Sequence, residues 1–341
     1  MTNKIKLNQL LIILLLIGNL ISCNKYGVNK VTVSDRQILV NESPYIIKGI
    51  CYHPVPKGSD IRNFETLTQD LALMVDAGIN TIRVYEPIDD IDVLDEIHAA
   101  GLKVIIGFGY DQNGIYDIQS GSYIDYVEKY KSHNAILLWE LGNEYNFHPE
   151  WFNDDIKNWY KILNESAKII HEIDNRHPVT TAHGELPDQQ TLAVCTEIDV
   201  WGMNVYRWDN PTEIFAQWKS VSNKPMYLSE AGSDSYMTIT KNGYEKGVNE
   251  QAQADANANI LTSVFNNQEI CSGVTMFSFT DGWWKSGNNA VQDIGGWAPN
   301  STGVPYDGTP NEEYWGIVDI NRKKKLTFYV IKEKYSNKVA N

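Results

Sequence analysis

Thr81-Ile82-Arg83-Val84-Tyr85, then Ile91 to Ala100, then Lys103-Val104-Ile105-Ile106-Gly107 is the stretch whose reading decides the fold. The outer pieces are short, apolar and β-branched, as strands covered on both faces are. The middle piece has a helical pattern of apolar residues, so the three together read as a strand, a crossover helix and a second parallel strand. Working outward, further strands are expected at Ile46 to Tyr52, Ala135 to Leu141, Val179 to His183, Val200 to Val205, Pro225 to Ser229 and Gly273 to Ser278. Helices are expected at Phe64 to Ala77, Ile124 to Lys131, Asp154 to Ile173, Pro211 to Lys219, Glu250 to Phe265 and Leu326 to Lys334. After the fifth strand only the short Asp188 to Val194 is available. Eight strands with crossover helices predict an α/β fold, a (β/α)8 barrel. A doubly wound open sheet would want a Gly-rich loop after the first strand, and Cys51-Tyr52-His53-Pro54-Val55-Pro56 is not one.

Ahead of the barrel, Val31-Thr32-Val33 and Gln37-Ile38-Leu39-Val40 alternate on either side of Ser34-Asp35-Arg36, which predicts a small N-terminal β-hairpin cap. After the eighth strand, Gly282 to Trp315 is a long loop rich in Gly, Asn, Asp and Trp, with Trp283, Trp284 and Trp297 in it. A barrel loop at that place overhangs the C-terminal mouth, where this fold builds its sites.

The chain has 341 residues and a formal net charge of -14, with its lysines scattered. That excludes the concentrated basic face that nucleic acid requires and suits a neutral ligand. Ten Trp and nineteen Tyr offer core filling or flat surfaces for sugar rings. At the start, Lys4 and Lys6 precede an uncharged apolar run from Leu7 to Ile21, the layout of a secretory signal. The run is too short for a comfortable membrane span. It ends in Leu20-Ile21-Ser22-Cys23, which resembles a bacterial lipobox and implies lipidation of Cys23. The expectation is an exported lipoprotein held to the membrane of a bacterial envelope. Cys51, Cys195 and Cys271 remain, an odd number without ligand spacing, and read as buried thiols. No metal constellation appears among the scattered histidines, and no Gly-x-Ser-x-Gly elbow.

The chemistry lies at two strand ends. Glu144 follows the fourth strand in Trp139-Glu140-Leu141-Gly142-Asn143-Glu144-Tyr145, and Glu230 ends the seventh in Met226-Tyr227-Leu228-Ser229-Glu230. Two carboxyl groups at one mouth are what glycosidic bond cleavage uses, one donating a proton and the other attacking or activating water. Glu140, as a charge within a strand, reads instead as the partner of a basic group in the barrel interior. Asp281 and Glu185, near strand ends, read as binders of sugar hydroxyls, and His53 and His183 are further candidates to line the pocket.

The motifs Asn80-Thr81-Ile82-Arg83-Val84-Tyr85, Leu141-Gly142-Asn143-Glu144 and Ser229-Glu230 resemble the clan of retaining β-glycosidases with a (β/α)8 barrel. They are most similar to the barrel domain of glycoside hydrolase family 2 and to β-1,3-glucanosyltransferases, over roughly residues 47 to 284. The residues ahead of the barrel leave out the β-sandwich domains that normally precede it in family 2. The resemblance implies Glu144 as acid/base and Glu230 as nucleophile. It further implies that Asn143 binds the sugar 2-hydroxyl, that Arg83 steadies Glu230, that Tyr206 donates to Glu230, and that Trp284, or its neighbour Trp283, is the aromatic platform under the sugar. His183 is carried as a substrate-binding candidate beside them. No cofactor is needed.

The domain expectation is thus a signal peptide over 1–22, a linker and hairpin over 23–44, and a catalytic (β/α)8 domain over 45–341. The function expected is hydrolysis of a β-linked oligo- or polysaccharide, with β-1,3-glucan the first substrate class. Transfer of the sugar to another sugar and glycan binding without catalysis are the alternatives.

Overall fold

The computed structural model describes residues 29–109, 116–207, 209–296 and 308–336. The signal peptide, Cys23 and Trp297 lie outside the described residues.

The chain enters through β1 (Val31–Ser34) and β2 (Gln37–Val40), an antiparallel hairpin to which the two-residue β3 (Ser43–Pro44) adds. Eight parallel strands follow: β4 (Ile47–Cys51), β5 (Thr81–Val84), β6 (Lys103–Gly107), β7 (Ile136–Asn143), β8 (Val179–Gly184), β9 (Val200–Asn204), β10 (Met226–Ala231) and β13 (Cys271–Met276). They close into a barrel, β13 pairing with both β10 and β4. Between β10 and β13 runs a short antiparallel pair, β11 (Tyr236–Met237) and β12 (Gly247–Val248), that the sequence pattern does not announce.

The outer layer is α1 (Leu67–Asp76), α2 (Ile91–Ala99), α3 (Tyr123–Tyr130), α4 (Ile156–Ile173), α5 (Gln189–Val194), α6 (Thr212–Val221), α7 (Glu250–Phe265) and α8 (Leu326–Ser336). The short α5 forms because Asp188 caps it, accepting from the Thr191 N–H at 2.7 Å.

Strand alternation divides the core into two. Ile82, Val84, Val104 and Ile106 pack outward with Leu71, Leu94 and Ile97 of the helices, whereas Ile105 points inward with Ile47, Leu137, Val200 and Tyr227. Arg83, between Ile82 and Val84, therefore enters the barrel interior and is fully buried.

The hairpin closes the end of the barrel where the strands begin. Val31 and Ile38 join the interior cluster. The Val31 N–H donates to the Arg176 carbonyl ahead of β8, Arg36 donates to Asn223 Oδ1 ahead of β10, and Ser272 Oγ donates to the Arg36 carbonyl. Burying a side chain the size of Ile38 contributes about 1.5–3 kcal/mol. With that mouth plugged, the C-terminal mouth is left for the site.

Two boundaries differ from the sequence reading in ways that matter. β7 runs two residues past Leu141, so Asn143 is still on the strand and Glu144 is the first residue off it. β10 runs to Ala231, so Glu230 lies within a strand. In both cases ladder pairing to β8 and β9 carries the backbone beyond the apolar run.

Candidate active site

The site is organised by one buried guanidinium. Arg83 Nε donates to both oxygens of Glu140, at 3.0 and 2.8 Å, and Nη2 donates to Glu140 Oε1 at 2.7 Å. Nη2 also reaches Asn143 Oδ1 at 2.8 Å, and Nη1 reaches Glu230 Oε1 at 2.8 Å. Glu140 takes a further bond from the Tyr227 hydroxyl at 3.0 Å. It is thus the interior partner of a basic group, placed to balance Arg83.

Glu230 accepts on both oxygens. Arg83 and the Tyr85 hydroxyl, at 2.7 Å, share Oε1, while the Tyr206 hydroxyl takes Oε2 at 2.6 Å. Burial raises both tyrosine hydroxyls well above their ordinary range, so they stay protonated and donate.

Glu144 is in a contrasting environment. It leaves β7 in a left-handed backbone conformation, φ 55°, which costs a non-glycine residue about 1–2 kcal/mol. Its N–H donates to the Ala182 carbonyl at 2.8 Å, and its carbonyl accepts from the Phe147 N–H at 2.9 Å, which fix the turn. Burial, and next the negative charge of Glu230, push its carboxyl up to about 7. Asn204, Arg83 and Lys285 act in the opposite direction without cancelling this.

Asn143, at the end of β7, is oriented through its oxygen by Arg83 and by Asn204 Nδ2 at 3.1 Å. Asn204 is itself fixed by the Ser229 hydroxyl, which donates to Oδ1 at 2.7 Å. Arg83 and Asn204 thus both hold Asn143 through Oδ1.

Trp284 tilts over His53, ring centroids 4.9 Å apart, and His53 meets Tyr85 edge-on at 6.3 Å. Trp284 is therefore contiguous, through His53 and Tyr85, with the surroundings of Glu230. Trp283 lies under Lys57 instead, with Nζ 4.3 Å from its ring centre. Lys285 follows, its Nζ 4.4 Å from the Phe277 ring centre and 3.4 Å from Glu312 Oε2.

His183 is used internally. Its Nδ1 faces the Glu185 carbonyl at 2.9 Å and must carry the proton, so Nε2 accepts from the Tyr160 hydroxyl at 3.2 Å. Burial lowers its pKa and keeps the ring neutral. Both His183 nitrogens are thus engaged within the protein, by the Glu185 carbonyl and the Tyr160 hydroxyl. Asp281 departs from expectation more plainly. It is buried, with Oδ1 accepting from Lys325 Nζ at 2.6 Å and the Gly316 N–H at 2.9 Å, and Oδ2 from Gln292 at 3.2 Å. It ties the ends of the long loop together from a buried position. Glu185 pairs with Arg207, whose Nη2 is 2.6 Å from Oε2.

Tyr85, Asn204, Lys285 and Trp315 were not singled out by their motifs. Trp315 packs edge-on against Tyr206, at 5.3 Å, and against Phe277, at 5.5 Å, so the returning arm of the long loop supports the tyrosine that holds Glu230. Cys51, Cys195 and Cys271 are free and buried. Among the described residues no group of three or more His, Cys, Asp or Glu is placed to hold a metal ion, and no helix is long and apolar enough to cross a membrane.

Fold and site define a (β/α)8 barrel with paired carboxyl groups of contrasting environment at its C-terminal mouth. The chain belongs to glycosyl hydrolase family 2: residues 31–255 match that family's TIM barrel domain. It is similar to a β-glucuronidase of Sus scrofa, 23% identical over 258 residues, which cover 66% of this chain and 37% of that protein. It is also similar to a probable β-glucosidase of Aspergillus flavus, 24% identical over 310 residues, 84% of this chain and 43% of that one. Among solved structures, a family 2 β-galacturonidase from Eisenbergiella tayi bound to galacturonate matches with a TM-score of 0.66 and 22% identity, over 90% of this chain and 54% of that one. The chain thus spans less than half the length of these two curated relatives.

Proposed function

We propose that this protein is a retaining β-glycosidase, with Glu230 as nucleophile and Glu144 as acid/base. The observation that carries the reading is the contrast between the two carboxyl groups. Glu144 is raised to about 7 beside Glu230, while Glu230 accepts hydrogen bonds from Arg83, Tyr85 and Tyr206. A group protonated near neutral pH can give a proton, and one held by donors can give an electron pair.

In the first step a Glu230 oxygen bonds to the anomeric carbon. The bond from that carbon to the leaving oxygen breaks, and the leaving oxygen takes the Glu144 proton. In the second step Glu144 removes a proton from water, the water oxygen bonds to the anomeric carbon, and the electron pair of the broken ester bond returns to Glu230. Net retention follows from two inversions. Asn143 holds the 2-hydroxyl, and Trp284 stacks against the sugar. Arg83 positions Glu230 and Asn143 together.

For the substrate we propose a β-linked glycan, with β-glucans first, on the likeness of the strand-end motifs to those of β-1,3-glucanosyltransferases. The relatives named above widen the choice to uronides. We also propose that the protein is exported and anchored through a lipid on Cys23. Loss of label from a metabolically incorporated fatty acid in Cys23→Ala tests this, and a variant that stays labelled and membrane-bound overturns it.

The activity is tested on protein lacking the first 23 residues, with β-glucans, galactans, mannans and aryl β-glycosides, beside Glu144→Gln and Glu230→Gln. Turnover with retained anomeric configuration, lost by several orders of magnitude in both variants, is the expected result. Sugar-lengthened products in place of reducing sugar mark transfer over hydrolysis. Near-full activity in either variant overturns the assignment, and binding without turnover by the unaltered protein overturns the enzyme reading.

A further inference from the structure

We propose that Phe147, with Trp151 beyond it, forms the surface that receives the leaving-group side of the substrate, and that this leaving group is itself a sugar ring. The inference rests on the glycosidase reading above and adds the side of the cleavage point that the catalytic pair does not specify.

Phe147 and Trp151 are large aromatic side chains left in water, 58% and 48% exposed. Each exposed aromatic by itself needs no explanation. These two flank the segment that follows the acid/base, and both are held in place. Phe147 closes the 3-10 turn after Glu144, its N–H donating to the Glu144 carbonyl. Its ring lies on Gly184, at the end of β8, so closely that a Cβ there would come within 2.1 Å of it. The intervening Asn146 pins the turn to the same glycine through two hydrogen bonds, Gly184 N–H to Oδ1 at 2.8 Å and Nδ2 to the Gly184 carbonyl at 3.1 Å. Trp151 is stacked on His148, centroids 3.9 Å apart and planes 5° apart, and meets Tyr145 edge-on at 5.2 Å. Rigid aromatic faces lose little conformational entropy when a sugar stacks on them.

Position selects the occupant. In the ring of eight strands β8 is diametrically opposite β4, which leads into His53 and the Trp284 tilted over it. A sugar on Trp284 with its anomeric carbon at Glu230 must send its leaving oxygen towards the acid, Glu144. From there the next ring continues over the β7 and β8 ends, where Phe147 lies. The Glu185–Arg207 pair, one residue past Gly184 and part-exposed, supplies a polar edge beside it. An apolar face with a polar rim is the surface a pyranose presents a match to, its axial C–H groups on the ring and its hydroxyls outward.

The test uses two leaving groups on the same sugar. In a β-glycosyl fluoride the carbon–fluorine bond breaks with fluoride leaving, so nothing occupies the proposed surface. In the matching β-linked disaccharide a whole ring does. The kcat/KM for glucosyl, galactosyl and glucuronosyl fluorides is compared with that for the corresponding disaccharides, in the unaltered protein, Phe147→Ala, Phe147→Tyr and Trp151→Ala. Val75→Ser, an exposed apolar residue on α1, is the control. The ratio of disaccharide to fluoride is expected to fall about tenfold or more in Phe147→Ala, the size of one lost ring contact, and to recover in Phe147→Tyr. A ratio within twofold of the unaltered protein, or a protein that uses fluorides and no disaccharide, overturns the inference and leaves the glycosidase reading standing. A protein that uses neither overturns both.

Discussion

Tyr85 donates to the same Glu230 oxygen, Oε1, that receives Arg83, whereas Oε2 takes the Tyr206 hydroxyl. The two oxygens are therefore unequal. Removing Tyr85 leaves Oε1 with its guanidinium, but removing Tyr206 strips Oε2 of the donor shown there. A hydrogen bond to a charged group contributes about 1.5–3 kcal/mol, or roughly ten- to hundredfold in rate. Tyr85→Phe is expected near the lower figure in kcat and Tyr206→Phe near the upper. Steady-state rates with an activated aryl β-glycoside check the order, and a larger loss in Tyr85→Phe would reverse the assignment of the two oxygens.

The raised carboxyl of Glu144 sets a pH limit. In the proposed role of acid Glu144 must be protonated to act, and its carboxyl is raised to about 7. The rate of the glycosylation step is expected to fall as pH rises through about 7. Substrates with a leaving group that needs no proton should lose this limb. Profiles of kcat/KM for an alkyl and a dinitrophenyl β-glycoside check it. Identical alkaline limbs would remove Glu144 from the role of acid.

The same shift makes Glu144 a cost to stability. A carboxyl whose folded pKa lies above its unfolded value of 4.5 holds its proton longer when folded. It therefore lowers stability progressively between about pH 4.5 and pH 7, and by its full amount above that window. Glu144→Gln removes the charge near Glu230 and is expected to gain about 1–3 kcal/mol at pH 8, with little gain at pH 4. Denaturant melts at the two pH values check the sign, and a variant less stable at pH 8 contradicts it.

Arg83 answers to the opposite logic. Its Nε, Nη1 and Nη2 are all used, and its loss strands two buried carboxylates, Glu140 and Glu230. Arg83→Met is expected to cost about 3–5 kcal/mol, since an unpaired buried charge costs more than a lost pair gains. Adding Glu140→Gln should recover part of this. Equal stability of the single and double variants would show that Glu140 is not what Arg83 compensates. Arg83→Lys should not rescue, because one ammonium cannot reproduce the fork.

What the sequence made legible follows from how local each signal is. The strand and helix pattern was readable because apolar periodicity is written within each segment, and the Asn143-Glu144 and Ser229-Glu230 pairs because each lies in a contiguous motif. Tyr85 was part of a quoted motif, yet its approach to Glu230 depends on barrel closure that brings residues 145 positions apart together. Asn204 is a single amide at a strand end, and only its contacts with Asn143 and Ser229 distinguish it. Asp281 had the right position for a sugar ligand, but Lys325 arrives from 44 residues further on and takes it. Trp315 returns to the mouth because Val318 bridges to Thr280, a pairing no local pattern records.

The contact between Phe147 and Gly184 gives a way to move the proposed leaving-group surface without deleting it. Gly184 adopts a backbone open to any residue, so Gly184→Ala brings no φ strain, only a methyl that would lie 2.1 Å from the Phe147 ring edge. Phe147 is the more exposed partner, with solvent beside it, so its ring is expected to be pushed off β8 while the barrel stays intact. The expected stability loss is small, about 1 kcal/mol or less for displacing a half-exposed side chain. The disaccharide-to-fluoride ratio should nevertheless fall towards that of Phe147→Ala, because stacking depends on where the ring lies as well as on its presence. Melting and the two specificity constants, measured on the same preparation, check both halves. A variant that melts normally and keeps its ratio would mean that the ring's seat on Gly184 has no part in receiving the leaving group.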